Sequence, residues 1–404
     1  MIRASEVFKH FRSDPRGCLA DLREALDRGL AGKPGGLKPE EFSLTDLAAH
    51  FIVADGEPIG YEGLRLWASS GRFLEAAPVS ASAFAAITQR IVNAAVLEGY
   101  QLPDTVLSRS VPTISGKTRD ARIVNFTVPL AEGKTLTYEE GQDKPTVGLY
   151  AEYVKTLPVR KKGLVIPITR EAVLADDTGG VLDAARRAGQ VISMEKEALL
   201  TQFVCGLVAN CVIEKRKSDA AEVTSNLFLT TGRWVNQQTN AMADWTDFDD
   251  AENRILGNTL PGTERPPMLM QRFVLVPPQL RSTVLRIINA TEVRSSSVSI
   301  PDFPPNVVAS ANPLAGLGIQ PIVSPLVYSE QVAAGVGTSV AAGTWFYGDL
   351  SQAVRYYELW PLEVVEVRDD RAAARADILV EFAAGECGVP VIVEPRVWTK
   401  NTPS

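Results

Sequence analysis

Through the first fifty residues, apolar side chains recur every three or four positions. "ASEVFKHF", "CLADLREALDRGL" and "LTDLAAHFI" each read as a short amphipathic helix, and Gly32 to Pro39 separates the second from the third. Ser43 or Thr45 is placed to cap the third. Charged helices split by glycine and proline predict an N-terminal region, residues 1–79, loosely connected to the rest of the chain, with a linker around Glu75 to Ser80. The pattern then tightens. "SASAFAAITQRIVNAAVLEGY" brings Phe84, Ile87, Ile91, Ala94 or Ala95, and Leu97 near one face of a helix that Pro103 closes.

Between 105 and 167 the period drops to two. In "ARIVNFTVP", Val124, Phe126 and Val128 alternate with Ile123, Asn125 and Thr127, and "YAEYVKTLPVRKKGLVIPIT" is a second strand-rich run. The stretch between them, "LAEGKTLTYEEGQDKPTVG", is polar, so the two runs predict a long hairpin whose far end has little core of its own. A two-stranded hairpin is marginal alone in water, so this arm needs a surface to lie on, and another subunit is one candidate.

No proline occurs between Pro167 and Pro261. Inside that window the spacing predicts a helix from about 179 to 216. Val181, Leu182, Ala185, Ile192, Leu199, Phe203, Leu207 and Val208 mark its apolar side, and basic residues crowd its end. Taken as one helix, some 33 residues would span about 50 Å, and Gly189 and Gly206 are positions where it could bend. "TDFDDAENRILGNTL" comes next as a helix capped by Thr246 or Asp247, and "QRFVLVPPQLRSTVLRIINA" as a strand running into a helix. Residues 295–345 are rich in Pro, Gly, Ser and Ala, and strands return toward the C-terminus. The class is α+β.

Composition narrows the functions. The 404 residues suit two or three domains, and 45% hydrophobic with 22% charged residues is an ordinary globular balance. A formal charge of −7 with no basic stripe argues against sequence-specific nucleic-acid binding. Cys18, Cys205, Cys211 and Cys387 show neither metal-ligand nor disulfide-framework spacing and read as small buried thiols. The chain opens without a signal-like apolar segment, and no run approaches the roughly 20 apolar residues that a membrane span needs. A soluble protein made in a reducing cytoplasm is expected.

Candidate chemistry fails residue by residue. His10 and His50 are the only histidines, so most acid–base and metal schemes lack their usual residue. "SGKT" (Ser115 to Thr118) lacks a phosphate loop's first glycine, because Val111 stands there. In "GTSVAAG" (Gly337 to Gly343), Ala341 replaces the second glycine of a nucleophile elbow, and "GVG" and "GLG" lack the third glycine of a dinucleotide fingerprint. Asp244, Asp247, Asp249, Asp250 and Glu252 lack the glycine and glutamate spacing of a calcium loop and read as helix-capping acids. No catalytic site, cofactor or metal is expected.

The order of elements carries a resemblance. The polar stretch Tyr138 to Pro145, then "KKGLVIPITREAVLADDTGG" (Lys161 to Gly180), then the helix from Gly180 to Gly206 resemble the major capsid proteins of tailed phages with the Hong Kong 97-type fold. "FVLVPPQLRSTVLRII", "GTWFYGDLSQAVRYYELWPLEVVEV" and "ADILVEFAAGECGVPVIVEPRVW" are similar to that family's later elements, so the likeness covers roughly residues 80 to 404. It implies an N-terminal arm at 80–110 and an extended loop at 111–166 lying over a neighbouring subunit, with Lys134, Tyr138, Glu139, Glu140, Asp143 and Lys144 as inter-subunit contacts. It further implies a peripheral domain at 167–245 and 363–404 with spine helix 179–216, hinged at Gly189 and Gly206, and an axial domain at 246–362.

The implied function is a shell subunit that self-assembles into hexamers and pentamers around the phage double-stranded DNA, which it touches non-specifically. It would reside in the virion after assembly in the host cytoplasm, with portal and scaffold or protease proteins as partners and no membrane. Two departures stand out. Some relatives join subunits through a Lys–Asn isopeptide bond, but no Asn occurs here between Asn312 and Asn401, so no such link is expected. The first 75 or so residues match nothing in the family pattern; a scaffolding segment removed by a protease, or a retained decoration, are both open. The alternatives are an encapsulin-type nanocompartment shell and, from another class, a soluble enzyme of unrecognised family.

Overall fold

The computed structural model describes residues 10, 13–51, 53–54, 57–58, 78–101, 105–127, 150–175, 178–216, 221–260, 265–296, 307–367 and 378–403. In chain order the principal helices are α1 (Pro15–Leu30), α2 (Leu44–Phe51), α3 (Pro78–Gln101), α4 (Val106–Ser110), α5 (Arg170–Leu174), α6 (Thr178–Val204), α7 (Trp245–Leu256), α8 (Arg281–Ile288) and α9 (Pro325–Ala333). The principal strands are β1 (Thr113–Ser115), β2 (Arg122–Thr127), β3 (Tyr150–Lys155), β4 (Arg160–Thr169), β5 (Val212–Lys215), β6 (Val223–Ser225) and β7 (Gln237–Thr239). They continue with β8 (Phe273–Val276), β9 (Glu292–Ser296), β10 (Val307–Ala311), β11 (Gln320–Val323), β12 (Trp345–Gly348), β13 (Val354–Val367), β14 (Ile378–Ile392) and β15 (Trp398–Thr402). Mixed helix and sheet is thus observed, as the two periodicities require. The chain divides into one unit of residues 1–104, 161–195 and 360–387 and a second of 105–160, 196–359 and 388–404.

The first unit sets helices against one face of a sheet in which β14 lies between β4 and β13. Alternation selects the face: Ile166 and Ile168 of β4, Val364 of β13, and Phe382 and Ala384 of β14 enter the core. Over them lie Ile87, Ile91, Val92 and Ala95 of α3 and Val181, Leu182, Ala185 and Ile192 of α6. The two helices meet backbone to backbone. A Cβ on Gly99 would stand 2.0 Å from the Arg186 carbonyl oxygen, and one on Gly189 would stand 2.1 Å from that of Val96. Each glycine is a notch that admits the other helix.

Three expectations change here. The N-terminal helices are not loosely attached, because Leu22, Leu26, Phe42, Leu44, Leu47 and Ala48 belong to this same core. Residues 80–110 are not an arm: α3 occupies 78–101 and is buried along one side in the unit. The long helix ends at Val204 rather than near 216, and residues 212–215 form β5. Gly206, with φ +66, lies beyond that end in the left-handed region that terminates helices, so it is not a bend inside the helix. Gly189 lies inside α6, where its missing side chain serves contact with α3.

The second unit holds a five-stranded sheet ordered β11-β8-β12-β15-β7 and a separate four-stranded sheet ordered β2-β3-β5-β6. β8 is parallel to β11 and antiparallel to β12, and β15 is antiparallel to β12 and parallel to β7. All four residues of β8 and of β12 are buried, as central strands should be. α7 covers this sheet through Phe248, whose ring lies 5.2 Å from Trp345 and 5.7 Å from Tyr347. Its cap is Asp244, one turn earlier than Asp247, and the two acids form a reciprocal capping box. Glu197 of α6 accepts from the Leu107 and Ser108 amides at 2.7 and 2.9 Å and so caps α4.

The glycine notch yields a prediction. Gly189→Ala should destabilise the protein by about 1–3 kcal/mol, through the clash with α3. Gly179→Ala, at a helical position with nothing within 4 Å, should be neutral or mildly stabilising. Chemical denaturation of both variants checks the pair; equal midpoints would show that the notch contributes nothing to stability.

Candidate assembly surfaces

Of the extended loop expected at 111–166, the described residues that flank 128–149 form a hairpin base; its far bound does not hold, because residues 161–166 belong to β4 and Ile166 enters the first unit's core. β2 and β3 pair antiparallel from Arg122↔Lys155 to Thr127↔Tyr150. The chain therefore leaves at Thr127 and returns at Tyr150 in register. Lys134, Tyr138, Glu139, Glu140, Asp143 and Lys144, expected to make inter-subunit contacts, lie in 128–149, outside the described residues.

Alternation along β3 divides the base into two faces. On the outer face the Arg122 guanidinium lies 4.2 Å above the Tyr153 ring, and Glu222 accepts from the Tyr153 hydroxyl at 2.5 Å and pairs with Lys155 at 2.7 Å. The Lys155 hydrogen bond, then that of Tyr153, holds the Glu222 carboxyl below its ordinary range, and the Glu222 bond raises the Tyr153 phenol. On the inner face Glu152 and Val154 are buried.

Beneath that inner face lies a cluster of six charges. Arg216, just past the end of β5, donates to Glu152 at 3.1 Å and to Glu214 at 3.0 Å, and its other terminal nitrogen lies 3.8 Å from Glu394. Arg233 reaches Glu214 at 2.5 Å, Arg396 reaches Glu394 at 2.8 Å, and the Arg396 guanidinium lies 5.2 Å from the Trp234 ring. Three cations face three anions, so the cluster carries no net formal charge. The arrangement ties the hairpin's return strand to β5, to the turn at 233 and to the segment before β15. The sequence reading missed these residues. Their signal was present: Glu152 and Glu214 each stand on the apolar face of an alternating strand, where a carboxylate survives only when paired.

Residues singled out for chemistry prove structural. The Lys117 and Thr118 amides of "SGKT" donate to the Tyr357 hydroxyl at 3.1 and 3.2 Å, and Gly116 packs against the Tyr357 ring. The loop's amides thus already have an oxygen acceptor where a phosphate would sit in a nucleotide site. Asp247 accepts from the Ala243 and Asp244 amides at 2.6 and 2.8 Å, which is capping, not cation coordination. Among the described residues no group of His, Cys, Asp or Glu is placed to hold a metal ion, and no helix is long and apolar enough to cross a membrane. None of the four cysteines is in a disulfide, and all four are buried. His50 packs against Asp46 at 3.3 Å on α2.

Apolar side chains reach solvent in both units. In the second, Met268 and Met270 are 82% and 83% exposed. Buried Asp349 accepts from the Met270 and Gln271 amides at 2.9 and 3.0 Å, so the segment is held firmly while its methionines project. In the first unit, Val165 of β4 and Val365 of β13 point away from the core at 53% exposure each.

The buried charges can be tested at two places. Arg216→Met should destabilise the protein by about 3–5 kcal/mol, because Glu152 and Glu214 would remain buried without their cation. A loss below about 1 kcal/mol in urea unfolding would show that the cluster is dispensable. Glu252 accepts from Arg272 at 2.6 Å and from Tyr347 at 2.8 Å. Burial opposes its charge, but these bonds outweigh burial and keep its carboxyl below the ordinary 4.5. Its stabilising contribution is therefore complete above that value and lost as pH falls through the depressed one. Glu252→Gln should flatten the acid side of the stability profile below the ordinary carboxylate range; an unchanged slope contradicts this.

The family pattern described as phage capsid protein matches residues 152–401 of this chain. No curated protein matches significantly. Among solved structures, the virus-like particle from Pyrococcus furiosus is 12% identical, with 77% of this chain and 97% of that one covered and a TM-score of 0.39. The capsid of a native GTA particle is 11% identical over 75% and 91%, with a TM-score of 0.43. Gordonia phage Cozz gives 15% identity over 74% and 86%, with a TM-score of 0.41. These structural likenesses are distant, and the family assignment rests on the matched sequence alone.

Proposed function

We propose that this chain, which belongs to the phage capsid protein family, is the major shell subunit of a tailed double-stranded DNA phage. Its copies associate into hexamers and pentamers of an icosahedral shell with the Hong Kong 97-type plan. The observation that carries this reading is the family match over residues 152–401, which runs from the hairpin's return strand through α6 to β15. In this reading the first unit is the peripheral domain, the second contains the axial domain, and residues 128–149 lie across a neighbouring copy. Each contact is weak alone and is multiplied by closure of the shell. The net charge of −7 supports a container, because a strongly cationic lining would grip the duplex and impede its movement. Portal, scaffold or protease partners and assembly in the host cytoplasm belong to the same proposal.

The ion cluster supports the loop's role. It fixes the hairpin base from below, so that whatever lies beyond Thr127 starts from a defined direction.

Electron microscopy and light scattering of the expressed full chain test the reading. Closed shells containing nucleic acid are expected in the infected host, whereas a shell filled with a cargo enzyme would indicate a nanocompartment. A stable monomer would overturn the assignment to a shell. Replacing residues 130–147 by a short turn should leave melting of the soluble subunit unchanged and abolish shells. Shells of normal yield from that variant would remove the loop from the assembly contacts.

A further inference from the structure

The capsid reading leaves open whether residues 15–51 are a removable segment or part of the finished subunit. We infer that they are a permanent brace, built into the first unit's core and fixing the start of α6, and are not released by proteolysis. The bracing is a property of the folded chain. Retention in the particle rests on the shell reading.

Apolar burial anchors the segment. Leu22 and Leu26 of α1, Phe42, and Leu44, Leu47 and Ala48 of α2 are between 0% and 6% exposed. They share one continuous cluster with Ile87 and Ile91 of α3, Val173 of α5, and Val181 and Leu182 of α6. Leu19, Leu30 and Leu37 pack at its margin. A segment designed to leave should present a polar face to what stays behind. Departure of this one would open the core to water along α3 and the first turns of α6, creating a large apolar patch of the kind monomeric surfaces avoid.

The polar ties point the same way. The Leu44 amide donates to the Thr178 hydroxyl at 2.9 Å, at the first residue of α6. The Thr45 hydroxyl donates to the carbonyl of Val173 at the end of α5. Further along α6, Arg186 is shared by Glu40 at 2.7 Å, Glu98 at 3.0 Å and Asp183 at 3.1 Å. Glu40 thus brings the N-terminal region into a bond that also joins α3 to α6. The region is organised internally as well: the Leu37 amide returns to the Ala25 carbonyl at 2.9 Å, and Gly29 leaves room for the Leu37 backbone. A fold-back of this kind presents α1 and α2 as one piece.

The test uses the full chain with a site-specific protease sequence inserted between residues 60 and 76. The folded, unassembled protein is cut and passed through a sizing column. The N-terminal fragment should co-elute with the remainder and separate only in denaturant. The variant Leu26→Asp/Leu47→Asp should melt at least about 10 °C lower than the parent. Release of the fragment under native conditions, with the remainder melting as the uncut chain does, would overturn the brace. In particles from the host, peptide mapping by mass spectrometry should find residues 15–51 joined to the rest of the shell subunit. Shells built of subunits that lack residues 15–51 would overturn retention. The column and melting arms need no shell, so failure to assemble would count against the shell reading and leave the brace standing.

Discussion

The first unit depends on how closely two helices can approach. α3 and α6 touch through carbonyl oxygens and glycine hydrogens, Val96 against Gly189 and Arg186 against Gly99. This proximity leaves no room for side chains on the contact line and pushes the larger apolar residues, Ile87, Ile91, Leu182 and Ile192, to its flanks. Those flanks then need cover. The sheet supplies it on one side through Phe382 and Ile168, and α1 and α2 add to the same cluster. Arg186, whose carbonyl lies at the notch, also sends its guanidinium to three carboxylates, so packing and charge converge on one residue.

The second unit solves a different problem. A hairpin that extends beyond its own core needs a root that resists slipping. Strand register has period two, and a slip by one residue would expose Glu152 and Val154 and bury Tyr153 and Lys155. An apolar root would resist that only by area. The six-charge cluster resists it by geometry, because Arg216 meets its carboxylates in only one register. Buried ion clusters contribute little net stability when replaced whole by apolar residues. Their value here is in selecting one pairing.

Much of this was legible in the sequence. Helical spacing located α1, α2 and α3, because each has one face in a core, and alternation located β2 and β3, although Val124, on the expected apolar side of β2, is 48% exposed. Of the acids around the start of α7 that read as caps, Asp244 and Asp247 are caps, whereas Glu252 binds Arg272 and Tyr347. The overlong helix misled for a physical reason. Beyond Val204 the chain continues as "CGLVANCVIEK", and a buried strand such as Val212–Lys215 carries the same apolar density as a buried helix. Only the left-handed backbone at Gly206 ends the helix, and a glycine admits that conformation without announcing it. The place of the N-terminal helices was not legible at all. Amphipathicity shows that a helix has a partner surface, not where that surface lies, and the glycine-rich Gly32 to Gly36 segment reads as a break whether or not the chain folds back.

Buried tryptophan gives the second unit an optical signature of its own. Trp234, Trp345 and Trp398 are each 0–1% exposed and all belong to the second unit, while the core cluster of the first unit contains no tryptophan. Indole emission from those three buried rings therefore reports on the five-stranded sheet and its surroundings. A red shift from those three rings would therefore mark the exposure of that sheet to water.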